Sequence, residues 1–174
     1  MSRLFSILAF TICLFGVAFS GPCADADLLY IINRGTGHYL AVNADNHVVL
    51  NYNYQQWCLN DQSRSFYTPL ANPSKSAANT GIVFYNDNGD NVLNVQNGVL
   101  SNAVLNLVPA ADAHCHDAAW EITYLSGSGM FSIRTIVPNS ELLAVSAVST
   151  DPADGVTLKP FNADDTLQQW ILQR

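Results

Sequence analysis

Two short segments of this 174-residue chain combine an aromatic ring with amides and a carboxylate. An aromatic ring can stack on an apolar ligand face, and amide and carboxylate oxygens accept hydrogen bonds from hydroxyl groups. This combination suits a neutral, hydroxyl-rich ligand such as a sugar; the alternative is polar loop residues beside core aromatic rings. The candidate binding residues are Asp45, Tyr52, Asn53 and Gln55 in the first segment, and Phe161, Asn162, Asp165 and Gln168 in the second.

Other patterns that could carry chemistry are weak. Glu121 and Glu141 are the only glutamates, and nothing in the sequence places them as the carboxylate pair that a glycosidase needs. The run His114-Cys115-His116-Asp117 puts four potential ligands side by side, whereas zinc ligands normally converge from spaced positions. No Ser-His-Asp or Cys-His arrangement has a supporting context. We therefore expect a protein that is not an enzyme and has no metal or cofactor.

The charge balance restricts the classes of partner. The net charge is −7, and only 12% of the residues are charged. An acidic chain is a poor ligand for nucleic acid, which needs Lys and Arg to neutralise phosphate. A weakly charged, Asn-rich surface suits hydrogen bonding to neutral polar partners, although Asn also serves to fill turns.

The chain reads as an all-β protein built from an internal repeat. Short runs of Val, Ile, Leu, Tyr and Phe alternate with clusters of Gly, Asn, Asp and Pro. Three series of motifs recur roughly every fifty residues, which indicates one small unit present three times around a shared core. The series are Leu40-Ala41-Val42, Leu93-Asn94-Val95 and Leu143-Ala144-Val145; then Val49-Leu50, Leu105-Asn106-Leu107 and Val156-Thr157-Leu158; and finally Trp57, Trp120 and Trp170. We predict that the tryptophans are largely buried and related by a pseudo-three-fold axis, and that Leu40, Leu93 and Leu143 follow the same symmetry.

The first repeat resembles the opening of a ricin B-type lectin repeat. A hydrophobic strand leads to Asn33, then to a turn containing Thr36-Gly37, and then to a returning Leu40. Gln55-Gln56-Trp57 and Gln168-Gln169-Trp170 look like the closing Gln-x-Trp motif of that family. The resemblance implies one β-trefoil domain of three four-stranded repeats over residues 27–174, with a glycan or glycoprotein as partner.

The positions that contact sugar in this family are substituted in all three repeats. The resemblance implies an Asp just after the Leu of the returning strand and an aromatic residue just after the Val-x-Leu motif. The Asp positions here are Ala41, Asn94 and Ala144, and the aromatic positions are Asn51, Val108 and Lys159. We therefore expect weak or no binding of simple galactose, and we place a sugar site in the two segments named first.

Residues 62–80 do not follow the repeat and are expected to form an extended loop. Secreted β-trefoils also serve as protease inhibitors through one protruding loop, so a protease inhibitor is the competing hypothesis. Arg64 or Lys75 would then be presented to a trypsin-like protease. A third alternative is a structural or effector protein without a small ligand.

The N-terminus has the pattern of a secretory signal peptide. Ser2-Arg3 precede an apolar run over 4–19, which is shorter than the roughly 20 residues that a membrane span needs. Cleavage after Ser20 or after Ala26 satisfies the small-x-small rule. We expect residues 1–20, or 1–26, to be removed from a secreted, extracellular protein without a membrane span.

The cleavage site decides the number of cysteines that remain. Cleavage after Ser20 leaves Cys23, Cys58 and Cys115, whereas cleavage after Ala26 leaves only the last two. An oxidising compartment favours pairing. A Cys58–Cys115 disulfide is therefore one candidate, and two unrelated buried thiols are the other.

Overall fold

The structure is a computed structural model that describes residues 28–61, 82–86, 89–113, 115–136 and 142–174. The predicted signal peptide with both predicted cleavage sites, the predicted 62–80 loop, Arg64 and Lys75 lie outside these residues. The twelve strands are β1 Leu28–Asn33, β2 Tyr39–Val42, β3 Val48–Asn51, β4 Gln56–Asp61, β5 Ile82–Asn86, β6 Asn91–Val95, β7 Leu105–Pro109, β8 Trp120–Leu125, β9 Met130–Thr135, β10 Leu143–Ala147, β11 Val156–Pro160 and β12 Trp170–Gln173. One helical turn, α1 Cys115–Ala118, and two 3-10 turns, Pro152–Asp154 and Thr166–Gln168, complete the described elements.

Six of the strands close into a barrel. Strand β1 pairs with β12 and β4, β5 pairs with β4 and β8, and β9 pairs with β8 and β12, all antiparallel. Closure removes the free sheet edges of these six strands. The other six strands form the hairpins β2–β3, β6–β7 and β10–β11, which join the barrel through β1, β5 and β9. The predicted all-β fold, a β-trefoil of three four-stranded units, is confirmed.

A tryptophan from each unit fills the interior. Trp57, Trp120 and Trp170 are 0%, 1% and 0% exposed. Each indole Nε1–H donates to a backbone carbonyl in the hairpin of its own unit, at 2.8, 3.2 and 3.0 Å respectively. The indole therefore fills the core and ties the hairpin to the barrel, and the predicted burial of the three tryptophans is confirmed.

The third unit departs from the predicted symmetry by two residues. The tryptophan carbonyl partners are Leu40, Leu93 and Val145, so Leu143 is not the equivalent of the first two. The cross-strand pairs agree, because Leu40 faces Leu50 and Val145 faces Leu158. Strand β10 is buried on both faces, and a strand of this kind has no polar alternation from which its register can be read.

The three hairpin turns hold the units together. Leu107 N–H donates to the Asn46 carbonyl at 2.8 Å, and Leu158 N–H donates to the Ala103 carbonyl at 3.1 Å. The third turn, Pro152–Asp154, packs against β3. Each turn therefore contacts the next unit around the axis, so that the three units stabilise one another.

We expect Trp170→Phe to lower the free energy of unfolding by about 1–3 kcal/mol, because it leaves the buried Val145 carbonyl without its donor. Chemical denaturation measures the change. The control is Tyr124→Phe on the exposed side of β8, which should change stability by less than about 0.5 kcal/mol. Equal stability of the two variants would contradict the role assigned to the indole N–H.

Candidate functional site

Three tyrosines of the first unit pack together at the surface. Tyr30 lies on β1, Tyr39 lies on β2, and Tyr54 lies between β3 and β4. The ring centroids of Tyr54 and Tyr30 are 5.5 Å apart, those of Tyr54 and Tyr39 are 6.3 Å apart, and those of Tyr30 and Tyr39 are 6.0 Å apart. All three contacts are edge-to-face, the geometry that aromatic pairs favour. We call these residues the tyrosine cluster; Tyr54 is 71% exposed at its outer side.

The second and third units bury the positions that correspond to Tyr30 and Tyr39. Strand pairing places Val83 and Ser132 at the position of Tyr30. It places Val92 and Ala144 at the position of Tyr39. These four residues are at most 2% exposed, whereas Tyr30 and Tyr39 are only half-buried. The tyrosine cluster is therefore a feature of the first unit alone.

The cause is the length of the segment before the last strand of each unit. This segment covers 110–119 in the second unit and 161–169 in the third, but only 52–55 in the first. In the second unit, Ala110, Ala113 and Ala118 pack over the cluster that contains Val83 and Val92. In the third, the 3-10 turn Thr166–Gln168 packs against β10. The short first segment leaves the equivalent surface open, with Tyr54 at its side.

Tyr52, a predicted site residue, lies beside this surface and makes a different contact. Its ring is 79% exposed and meets the His38 ring edge-on, with 4.1 Å between centroids. Both ring nitrogens of His38 are buried and have no hydrogen-bond partner among the described residues. This contact with His38 is separate from the ring contacts within the tyrosine cluster.

The other predicted residues of the first segment are divided between two places. Asn53 is exposed beside Tyr52 and Tyr54. The Gln55 side-chain oxygen accepts from Val42 N–H at 2.8 Å, so this oxygen holds β2 in place. Asp45 is exposed in the β2–β3 turn, at the far end of the hairpin and about 10 Å or more along the strands from Tyr52. The structure therefore does not bring Asp45 together with Tyr52, Asn53 and Gln55.

In the second predicted segment, the side chain of Gln168 is hydrogen-bonded within the protein. It is 2% exposed, and its side-chain oxygen accepts from Asn162 N–H at 2.8 Å. Its amide nitrogen donates to the Pro160 carbonyl at 3.0 Å and to Asp165 Oδ2 at 3.3 Å. Gln168 therefore holds the chain that follows β11.

Asp165 and Phe161 are also engaged within the protein. Asp165 caps the second 3-10 turn, because its Oδ1 accepts from Leu167 N–H at 3.0 Å. The guanidinium of Arg134 lies over the Phe161 ring, 5.0 Å from the centroid. The same guanidinium pairs with Glu121 at 2.9 Å. The structure brings Phe161, Asn162, Asp165 and Gln168 into one loop. Phe161 contacts Arg134, and the other three bond mainly to one another and to the backbone.

The positions that correspond to the sugar-binding Asp of lectin repeats are Ala41, Asn94 and, after the register correction, Ser146. All three are buried. Asn94 donates to the Asn106 side chain at 3.1 Å and to its own strand, and Ser146 donates to the Ala147 carbonyl at 2.8 Å. None of the three positions carries a carboxylate.

Cys58 is fully buried between the first and second units. It shares a cluster with Val83, Tyr85, Val92 and Ala118. Burial raises the pKa of the Tyr85 phenol in the same cluster.

The described ranges hold neither a candidate metal centre nor a candidate membrane-spanning helix. No group of three or more His, Cys, Asp and Glu side chains there could hold a metal ion. No helix in the same ranges is long and apolar enough to cross a membrane.

Comparison with known proteins finds similarity in structure and not in sequence. No protein-family model and no curated protein sequence matches the chain. Among solved structures, a Macrolepiota procera ricin B-like lectin in complex with lactose superposes with a TM-score of 0.62 at 16% identity, over 86% of this chain and 96% of the lectin. The fold is a ricin B-type β-trefoil.

Two further structures share this ricin B-type β-trefoil. A Culex quiquefasciatus salivary protein of the Cysteine and Tryptophan-Rich family has a TM-score of 0.60 at 17% identity, covering 86% of this chain and 94% of its own. The designed three-fold symmetric protein ThreeFoil has a TM-score of 0.60 at 16% identity, covering 84% of this chain and 98% of its own. At identities this low, the structural similarity establishes the fold and does not identify a ligand.

Sequence reasoning missed the tyrosine cluster, although the sequence holds a signal for it. In the first repeat Leu50 and Trp57 are only seven positions apart, whereas Leu107 and Trp120 are thirteen apart. A shorter segment covers less of the barrel, and the residues of the tyrosine cluster all lie in the repeat that has the short segment.

We expect Gln168→Ala to destabilise the protein by about 1–3 kcal/mol, because it leaves buried backbone groups without partners. Asn53→Ala, which removes an exposed amide, should change stability by less than about 0.5 kcal/mol. Thermal or chemical unfolding distinguishes the two. A Gln168→Ala variant of wild-type stability would show that Gln168 is not structural and would return it to the list of ligand-binding candidates.

Proposed function

We propose that the protein is a non-catalytic carbohydrate-binding module that binds a neutral glycan at the tyrosine cluster. The observation that carries this proposal is the uncovered aromatic surface of the first unit, at positions that the other two units bury. Contiguous exposed aromatic surface on a soluble protein commonly marks a binding site.

The chemistry of the tyrosine cluster suits a sugar. A pyranose ring has an apolar face of C–H groups, which packs on an aromatic ring, and hydroxyl groups at its edge, which can bond to phenols and amides. Tyr54 offers an exposed ring supported from below by Tyr30 and Tyr39. Asn53 adds an exposed amide beside it.

The absence of a charged group within the cluster favours a neutral ligand over an anionic one. Cations in the described ranges are engaged elsewhere: Arg34 bonds to the Gln169 side chain, Arg134 pairs with Glu121, and the Lys159 ammonium donates to two carbonyls. The net charge of −7 disfavours an anionic ligand further.

The lectin of the same fold that was solved with lactose supports a carbohydrate ligand by analogy. The analogy extends to the ligand class and not to the site, since this chain lacks the Asp and the aromatic residue at the family positions. Within the first segment, Tyr52 and Asn53 are proposed as neighbours of the binding surface. The third-unit residues Phe161, Asn162, Asp165 and Gln168 are the weaker candidates, because their hydrogen-bonding groups are largely used within the protein.

We expect Tyr54→Ala to weaken binding of a neutral oligosaccharide by roughly tenfold, the loss of about 1.4 kcal/mol of stacking. Isothermal titration of the mature protein with the best glycan of an array measures the change. Tyr124→Ala is the matched control, because it removes another exposed tyrosine (58% exposed) that contacts Phe131 on the barrel. The control should bind like wild type.

If Tyr54→Ala binds normally, other variants locate the binding site. A tenfold loss in Tyr52→Ala would move the site to the His38 side of the hairpin, and a loss in Phe161→Ala would move it to the third unit. Absence of any glycan ligand, together with tight inhibition of a trypsin-like protease that is lost in Arg64→Ala or Lys75→Ala, would establish the competing inhibitor function.

We also propose that the protein is secreted and carries a Cys58–Cys115 disulfide. The apolar N-terminal run supports secretion, and a salivary protein shares the fold. Ala118, at the end of the helical turn that begins at Cys115, packs in the same cluster as Cys58, which supports this pairing. That placement brings the two cysteines to the same part of the molecule.

N-terminal sequencing of protein from the culture medium should give a start at Gly21 or Asp27. With a start at Asp27, titration of free thiols in the unfolded, unreduced protein should read near zero. Retention of Met1 on secreted material, or two free thiols in a chain that starts at Asp27, would contradict the proposal.

A further inference from the structure

The loop that joins β6 to β7 lines a cavity of about 310 Å³ that is open to solvent. This volume lies at the small end of the range for ligand sites, about 300–1,000 Å³. The lining includes four polar side chains and two exposed apolar ones. They are Gln96, Asn97, Ser101 and Asn102, with Leu100 and Val104.

The polar side chains of this loop do not stabilise it through hydrogen bonds. Within the described residues, none of the four makes a hydrogen bond to another protein group. The corresponding turns of the other units differ, because Asn43 Oδ1 accepts from His47 N–H at 2.9 Å and Ser149 donates to Asp154 at 2.6 Å. In the second unit, the turn side chains form no such bond within the described residues.

The backbone holds the loop instead. Gln96 N–H donates to the Val104 carbonyl at 2.9 Å, which closes the loop at its base. Asn102 N–H donates to Leu158 of the third unit at 2.7 Å, and Thr157 Oγ1 donates to the Ala103 carbonyl at 2.9 Å. A loop fixed in this way keeps its free side chains in place before a ligand arrives, which lowers the entropy cost of binding.

We propose that this cavity is a second ligand site, separate from the tyrosine cluster, that takes one neutral sugar ring. Side-chain amides offer a donor and an acceptor next to each other, which matches adjacent hydroxyls on a ring. No charged side chain lines the cavity, and Leu100 and Val104 supply apolar contact. Neither Asn94 nor Val108, the family positions of this unit, lines it. The inference does not depend on binding at the tyrosine cluster.

The test is a ¹⁵N NMR titration of the mature protein with galactose, glucose, mannose and N-acetylglucosamine. At least one sugar should cause saturable shifts of the backbone amides in 96–104. The double variant Asn97→Gly/Asn102→Gly removes two amides without backbone strain, because both residues have positive φ (62° and 66°), which glycine adopts freely. It should bind roughly tenfold more weakly. Asn46→Gly, at φ 63° in the first turn, is the matched control and should bind like wild type.

Two results would overturn the proposal: no shift in 96–104 with any of the four sugars, or equal affinity of the double variant and wild type. If the double variant melts early, the single variant Asn97→Gly replaces it, with an expected loss of about threefold. The amide signals of Tyr30, Tyr39 and Tyr54 report binding at the tyrosine cluster in the same spectra. Failure of one site is therefore distinguishable from failure of the other.

Discussion

The fold depends on three buried indoles, each of which fills the barrel and bonds to a hairpin. A six-stranded barrel closed by short strands needs large side chains at its centre, and Trp57, Trp120 and Trp170 supply them. Because each Nε1–H donates to a carbonyl of the hairpin in its own unit, removal of an indole would both open a cavity and release that hairpin. The hairpin turns then contact the next unit, so the domain is stable only as a whole.

This shared frame allows the three units to differ on their outer surface. The second and third units use longer segments before their last strands, and these segments cover the barrel side with alanines in the second unit and with the 3-10 turn Thr166–Gln168 in the third. The first unit has a four-residue connection, and its equivalent surface carries Tyr30, Tyr39 and Tyr54. The difference follows from chain length and local composition and does not disturb the core. A candidate binding surface therefore arises in one unit while the three-fold packing is retained.

Much of the fold was predictable from the sequence, because strand period and repeat spacing reflect burial directly. The repeat spacing predicted the burial of Trp57, Trp120 and Trp170, which is confirmed. The register of β10 was predicted wrongly, since a strand buried on both faces lacks polar alternation. The sequence also marked Gln168 and Asp165 as polar groups available to a ligand. The partners of Gln168 are backbone groups six and eight residues away, which residue type alone cannot reveal, whereas Asp165 caps the turn that follows it.

The central claim is that the open, uncharged tyrosine surface binds neutral carbohydrate. A glycan array probed with the mature protein at physiological ionic strength tests it most directly, because neutral, sialylated and sulphated glycans are compared under one condition. The account predicts signals on neutral glycans and none that depend on an anionic group. An array without signal, or signals confined to sialylated or sulphated glycans, would contradict it.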